Sequence, residues 1–368
     1  MSIKINRGHS LQTKLTVFTL VIFVLTLSLL VFLFSRMLQD DLVHQFTEQQ
    51  LSAATFVASE INDELDERVK ALELIAGSIN QSMLKKPTKL QRFLDNELVI
   101  HPHFNGGVFV LSADGIAIAD SPISNGRIGI NFMDRKYAIG ALNNGKPTIG
   151  NPVVGHALKS SLFSMAVPIR DSDGKVIAAL AGTTVLAKSN FLDKITNNSY
   201  GKSGGYLLIS PETRLVITAT DKRRIMQPLP DEGINPAIDR FIKQHNGSDI
   251  LVNPLGVEVL ASASNIPIAN WYVVVSLPTA EAFAPIRDMQ LRMGITTLGL
   301  ALLACILAWW MLKLQLAPML SVAKALAAVA NTNQTYQPLP ITSEDEIGEL
   351  IAGFKFTGKS KSTDLVHT

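Results

Sequence analysis

Gly107-Val-Phe-Val-Leu-Ser-Ala-Asp-Gly115-Ile-Ala-Ile-Ala-Asp120 is the stretch that decides the fold. An apolar run ends at Asp114-Gly115, a dipeptide suited to a tight turn, and a second apolar run follows, so the segment predicts a strand, a turn and a second strand. The same pattern returns in Leu162-Phe-Ser-Met-Ala-Val-Pro-Ile-Arg170, Asp171-Ser-Asp-Gly174 and Val176-Ile-Ala-Ala-Leu-Ala-Gly-Thr-Thr-Val185. Two hairpins make one antiparallel sheet. Between them, Asp134 to Leu142 predicts a short helix and Asn143-Asn-Gly-Lys-Pro147 a turn. About one hundred residues further on, Tyr206 to Thr220 lines up with Val108 to Ser121, and Glu258–Ser264 with Asn270–Pro278 echoes the second hairpin. This weak self-similarity predicts two modules of one fold in tandem, at about 90–190 and 200–280.

Upstream, Val57, Ile61, Leu65, Val69, Leu72, Ile75 and Ile79 recur at helical spacing among acidic residues and Arg68, which predicts a long amphipathic helix. Neither Pro nor Gly occurs between Leu15 and Ala76, so this helix can continue unbroken from the apolar run before it. That run, Leu15 to Ser35, has 21 uncharged residues, enough to cross a bilayer core of about 30 Å as a helix. A cleaved signal peptide would carry a shorter apolar region and small residues at its end, whereas Arg36-Met37-Leu38 follows here. Met293 to Leu312 is a second run of 20 residues, with Trp309 and Trp310 near one end.

Lys4, Arg7 and Lys14 precede the first run with no acid among them, which predicts a cytoplasmic N-terminus. Two spans return the C-terminus to the cytoplasm and leave residues 37–291 outside the membrane on the far side. The composition agrees: 47% of the 368 residues are hydrophobic and only 17% charged, against about 25% charged in ordinary soluble domains. A formal charge of +2, without a basic block interleaved with aromatics, argues against nucleic acid as a partner. The single cysteine, Cys305, excludes an internal disulfide framework and multi-cysteine metal centres.

A first span, a rod-like helix, two sheet-bearing modules and a return span together resemble the double Cache (dCache_1) sensor domains of bacterial transmembrane receptors. The residues that carry the resemblance are Asp134-Arg-Lys-Tyr137-Ala-Ile-Gly-Ala-Leu142, Gly145-Lys-Pro-Thr-Ile-Gly-Asn-Pro-Val153 and Ala166-Val-Pro-Ile-Arg-Asp-Ser-Asp-Gly174, with Phe191-Leu, Asn270-Trp271 and Pro278 to Phe283. It implies an α+β membrane protein, with two PAS-like antiparallel-sheet modules between two transmembrane helices. Pro318, the helical run Met319–Ala330, the polar connector 331–338 and Ser343-Glu-Asp345-Glu346-Ile-Gly348 resemble a HAMP relay over residues 314–354. Two short amphipathic helices per chain would bury their apolar stripes only as a parallel dimeric bundle, so a homodimer is expected. The Asp-Arg-x-Tyr style of the distal module is most similar to sensors of diguanylate cyclases. No Gly-Gly-Asp-Glu-Phe signature occurs, and the polar residues 355–368 are too few for an output domain. The expectation is a receptor that senses a small extracytoplasmic ligand, as the input part of a diguanylate cyclase. The alternative is a non-catalytic sensor, or a chemoreceptor- or histidine-kinase-type input subunit, acting through a partner.

Family members bind ligands over the distal sheet, which points to Arg127, Asp134, Arg135, Tyr137 and His156 on the segment between the hairpins, with Ser164 and Thr184 on strands facing it if side chains alternate. Arginine and tyrosine there could fix a carboxylate or phosphate by charge-assisted bonds. The plainer readings are a helix cap for Asp134, a surface ion pair for Arg135 and core packing for Tyr137. The amino-acid-binding subgroup carries an Arg-x-Trp-Tyr pattern and a later strand Asp. Asp134, Lys136 and Thr183-Thr184 stand at those places here, which argues against a free amino acid.

Gly201-Lys-Ser203-Gly-Gly205 matches a serine-hydrolase pattern, yet a polar segment precedes it and a strand follows, so Ser203 is expected in a loop without a catalytic role. Thr196 stands where a phosphate loop would need glycine. His101-Pro-His103, the one close pair among seven histidines, lacks a nearby carboxylate cluster, so neither metal nor cofactor is expected.

Overall fold

The computed structural model describes residues 11–97, 102–244 and 246–331, with side-chain surroundings given from Val17 to Met311 apart from Ala237 and Gln244. The chain divides into two units, residues 41–285 and the two flanking segments 1–40 and 286–368.

Helix α1 runs without interruption over Leu11–Ser78, as the absence of Pro and Gly predicts. It is followed by α2 (Gln81–Leu84) and α3 (Pro87–Asn96). Asn80 caps α2 by accepting from the Met83 N–H, and proline opens α3, where its missing N–H leaves no intrahelical bond unmade.

The first sheet contains β1 (Val108–Ser112), β2 (Ala117–Ser121), β3 (Thr148–Ile149), β4 (Val153–Val154), β5 (Ser161–Arg170) and β6 (Val176–Val185), with α4 (Lys136–Leu142) inserted between β2 and β3. After α5 (Asp193–Thr196) come β7 (Gly205–Ser210), β8 (Leu215–Ala219), α6 (Pro236–Gln244), β9 (Gly247–Val252), β10 (Glu258–Ile266) and β11 (Trp271–Pro278), which form the second sheet. Helix α7 (Thr279–Ala282) closes this unit, and α8 spans Ala284–Asn331.

The sequence repeat is a topological one. The distal order β2-β1-β6-β5-β3 and the proximal order β8-β7-β11-β10-β9 place corresponding strands identically, and β4 is an extra partner of β5. The two first hairpins even share an irregularity, with register shifting between Val110 and Leu111 in one and between Leu208 and Ile209 in the other.

One core serves both modules. The buried stripe of α1 from Ala54 to Ala76, with Ile79 just past the helix end, packs with Val108, Val110, Phe163 and Leu180 of the distal sheet and with Leu208, Ile217, Trp271 and Val273 of the proximal one. Trp271 meets Phe163 edge-on at 5.0 Å between ring centroids, a favourable aromatic geometry. One turn before this stripe Gln50 is buried as well: its amide donates to the carbonyls of Leu260 and Val275 (3.1 and 3.2 Å) and its oxygen accepts from Ser262 (3.3 Å). The opposite face of the distal sheet carries a second cluster, in which Phe109, Leu111, Ala166 and Ala181 pack under Tyr137, Ala138 and Ala141 of α4.

The helical stretches Val17–Ser78 and Ala284–Met311 are each, in part, long and apolar enough to cross a membrane by length and composition. Pro318 lies within α8. Asp345, Glu346 and Gly348, the other expected relay residues, lie outside the described residues.

Candidate functional site

On the α4 face of the distal sheet a cavity of about 310 Å³ is lined by Arg127, Arg135, Tyr137, His156 and Ser164 among others. Five of the seven residues expected from the sequence thus converge. Two local features position them. The α4 helix starts after Arg135, which stands at its N-cap without a capping side chain, so Asp134 does not cap and Arg135 projects to the rim. Gly150 lies against the Tyr137 ring, where a Cβ would come within 2.9 Å of Cδ1; only glycine lets the strand approach so closely.

The floor is a chain of polar groups. Arg127, 3% exposed, donates from Nε to Asp120 Oδ1 and from its backbone N–H to Oδ2, both at 2.9 Å. Its Nη1 donates to Thr183 Oγ1 (3.0 Å), its Nη2 to the Gly106 carbonyl (2.8 Å), and its guanidinium lies 4.5 Å from the Phe109 ring centroid. Thr183 Oγ1 is 2.9 Å from Ser164 Oγ, and the buried Tyr137 hydroxyl is hydrogen-bonded with Ser164. Burial pushes the Tyr137 phenol far above its ordinary range, so it stays protonated and can donate. Burial likewise pushes the Asp120 carboxyl up and the Arg127 guanidinium down, with each partner offsetting part of the other's shift. Arg127 is therefore chiefly a brace behind the site, and removing it would strand a buried carboxylate at a cost of about 3–5 kcal/mol.

The rim is wetter. Arg135, 16% exposed, places Nη2 2.8 Å and Nε 3.2 Å from His156 Nε2, while Asp134 Oδ2 lies 2.8 Å from that nitrogen and 3.2 Å from Arg135 Nε. Asp134 itself is 53% exposed and does not line the cavity. No Asp or Glu side chain is among the lining residues. Lys136, the first residue of α4, pairs with Glu212 on the β7–β8 turn of the proximal module, and this bond lowers the Glu212 pKa.

Thr184 is on the wrong face. Its neighbour Thr183 opposes Ser164, whereas Thr184 opposes Phe163 on the α1 side, where its hydroxyl is buried without a hydrogen-bond partner among the described residues. The cause is a register shift between Ile169 and Arg170. Continued unbroken from the Arg170–Val176 pair, the hairpin would have set Ser164 opposite Gly182 and Thr184 on the cavity face; a slip of one residue reverses every side chain. Sequence reasoning also missed Asp120, whose burial depends on Arg127 folding back across β2. The pairing of two opposite charges seven residues apart was the available signal.

A model of the Cache domain family matches residues 34–286, more than two thirds of the chain. The chain belongs to the Cache domain family. No curated protein matches it. Among solved structures, the extracellular ligand binding receptor from Desulfohalobium retbaense DSM5692 superposes with a TM-score of 0.50 at 12% identity over 62% of this chain, which spans 40% of that receptor. The extracellular domain of mmHK1S-Z3, described as a candidate histidine kinase, gives a TM-score of 0.53 at 15% identity, covering 66% of this chain and 97% of that one. The ligand-binding domain of the Pseudomonas fluorescens chemoreceptor CtaA, in complex with L-isoleucine, gives 0.48 at 18% identity, covering 68% and 96%. At such identities the likeness is one of fold. The expected Cache architecture, a long N-terminal apolar helix followed by mixed helix and antiparallel sheet, is thereby established.

Ser203 of the hydrolase-like pattern lies in the turn before β7, where its hydroxyl and N–H and the Lys202 N–H all donate to the Glu281 carboxylate. Of the histidine pair, His103 is described and gives its carbonyl to Arg68, while His101 lies outside the described residues.

Proposed function

We propose that this protein is a transmembrane receptor whose distal Cache module binds a small carboxylate-bearing ligand. The observation that carries the reading is the distal cavity itself: Arg135 at its rim and the protonated Tyr137 within it supply donors, and no lining residue is acidic. A carboxylate would meet charge-assisted bonds there. The ammonium of a free amino acid would meet no lining carboxylate, so a mono- or dicarboxylate is the better fit. Asp134 Oδ2, 3.2 Å from Arg135 Nε, indicates where a ligand oxygen could replace it.

The two apolar helical stretches would anchor the receptor in the bacterial inner membrane with both termini cytoplasmic and the sensor outside. The HAMP-like segment would relay ligand-dependent rearrangements of a homodimer. We assign no catalytic group within these residues, and take the output to be cyclic-di-GMP synthesis by a diguanylate cyclase, on the resemblance of the distal module. A ligand can act only through different affinities for two arrangements of the receptor. The Lys136–Glu212 pair gives the site's own helix a direct hold on the proximal module.

The test is thermal unfolding of residues 37–291 against carboxylates, amines, purines and sugars, repeated with Arg135→Ala and Tyr137→Phe. A carboxylate at about one hundred times its Kd should stabilise the wild type by about 2.7 kcal/mol, and the variants should lose that shift. Stabilisation by amines alone, or by none of the classes, would overturn the proposal.

A further inference from the structure

The proximal sheet carries its own cavity on the corresponding face, the one turned away from α1, and its chemistry differs. It encloses about 550 Å³, the space at its open mouth included. Leu229, Ile238, Phe241, Leu251 and Val259 make much of its wall, and Arg224, Asn253 and Ser276 are its polar members. The Asn253 side-chain oxygen is already committed, accepting from the N–H groups of Leu255 (2.9 Å) and Val257 (3.0 Å).

Arg224 is set apart from its neighbours. Arg214 pairs with Asp239 at 2.8 Å, Arg223 with Asp221 at 2.8 Å and Arg240 with Asp249 at 2.7 Å. Arg224 is partly buried, and among the described residues its guanidinium has neither an ion pair nor a hydrogen bond. Desolvation pushes its pKa down, and the more distant Asp221, whose carboxylate is held by Arg223, offsets only part of this. No Asp or Glu lines the cavity. A cation that has lost water without gaining a counter-ion is costly to keep, and here it borders a largely apolar hollow.

We propose that the proximal module holds a second ligand site, for an amphipathic carboxylate whose alkyl or aryl body fills the apolar wall while its carboxylate pairs with Arg224. The Ser276 hydroxyl on the same wall is a further donor for the head group. This site is separate from the distal one and does not rest on it: here the apolar body supplies most of the burial and a single arginine selects the sign of charge.

Titration calorimetry on the full chain in lipid nanodiscs, with empty discs as the blank, tests the proposal using octanoate, octanol and octylamine as probes. Octanoate should bind saturably above the blank, and octanol about tenfold more weakly, as expected for loss of one charge-assisted pairing. Arg224→Met, which keeps an apolar stem, should weaken octanoate about tenfold and leave octanol unchanged, and Arg224→Lys should restore part of the loss. Octanoate heats equal to the blank would overturn the proposal. So would equal affinity for octanoate and octanol, or wild-type octanoate binding in Arg224→Met.

Discussion

Thr183 and Thr184 are adjacent, chemically identical and both buried, yet replacing each by valine should have opposite consequences. The Thr183 hydroxyl joins Ser164 at 2.9 Å and the Arg127 guanidinium at 3.0 Å. A net contribution of about 1 kcal/mol for the neutral bond and about 1.5–3 kcal/mol for the one to a charged group predicts a loss of about 2.5–4 kcal/mol for Thr183→Val. In a segment the size of residues 41–285, that corresponds to about 5–15 °C in Tm. Thr184 Oγ1 has no partner among the described residues, so Thr184→Val removes a desolvated hydroxyl and should leave Tm unchanged or raise it by a few degrees, for about 1 kcal/mol gained. Thermal unfolding of the two single variants of residues 41–285, followed by circular dichroism, measures both. If Thr184→Val destabilised as much as Thr183→Val, or if Thr183→Val were silent, the assigned register and the polar floor built on it would be refuted.

Gln50→Leu should lower the stability of the same segment by about 1–3 kcal/mol, because it leaves buried polar groups of the proximal sheet short of a partner; an unchanged urea midpoint would contradict the hydrogen bonds assigned to Gln50. The Glu281 carboxylate accepts from the Ser203 hydroxyl, the Lys202 N–H and the Ser203 N–H, which hold its pKa below the ordinary value of 4.5. Since the folded value is depressed, the stabilisation is present above 4.5 and lost as pH falls through the folded pKa. The Tm difference between wild type and Glu281→Gln should therefore be full at neutral pH and shrink below 4.5; a difference constant down to about pH 3 would count against this assignment.

Much of the architecture was legible in the sequence because it follows from local rules. Asp114-Gly115 and Asp171 to Gly174 place the distal turns, helical spacing from Val57 to Ile75 sets the buried stripe of α1, and the absence of Pro and Gly from Leu15 to Ala76 makes that helix continuous. The near-repeat of Val108–Ser121 at Tyr206–Thr220 foretold two sheets of the same strand order. Arg127, Arg135, Tyr137, His156 and Ser164 line one cavity because they lie on the segments that the hairpins bring together. Tertiary structure alone decided the rest. A one-residue register shift at Ile169 put Thr183 rather than Thr184 beneath the cavity, and no alternation rule reveals a bulge. The roles of the two arginines also depended on it: Arg127 is bound by Asp120, Thr183 and Gly106 into a brace, whereas Arg135 stands at the rim. Which charges are satisfied depends on partners distant in sequence, and only the folded chain sets those distances. For the same reason a partly buried Arg224 without a counter-ion among the described residues could not have been told from any other basic residue in Lys222-Arg223-Arg224.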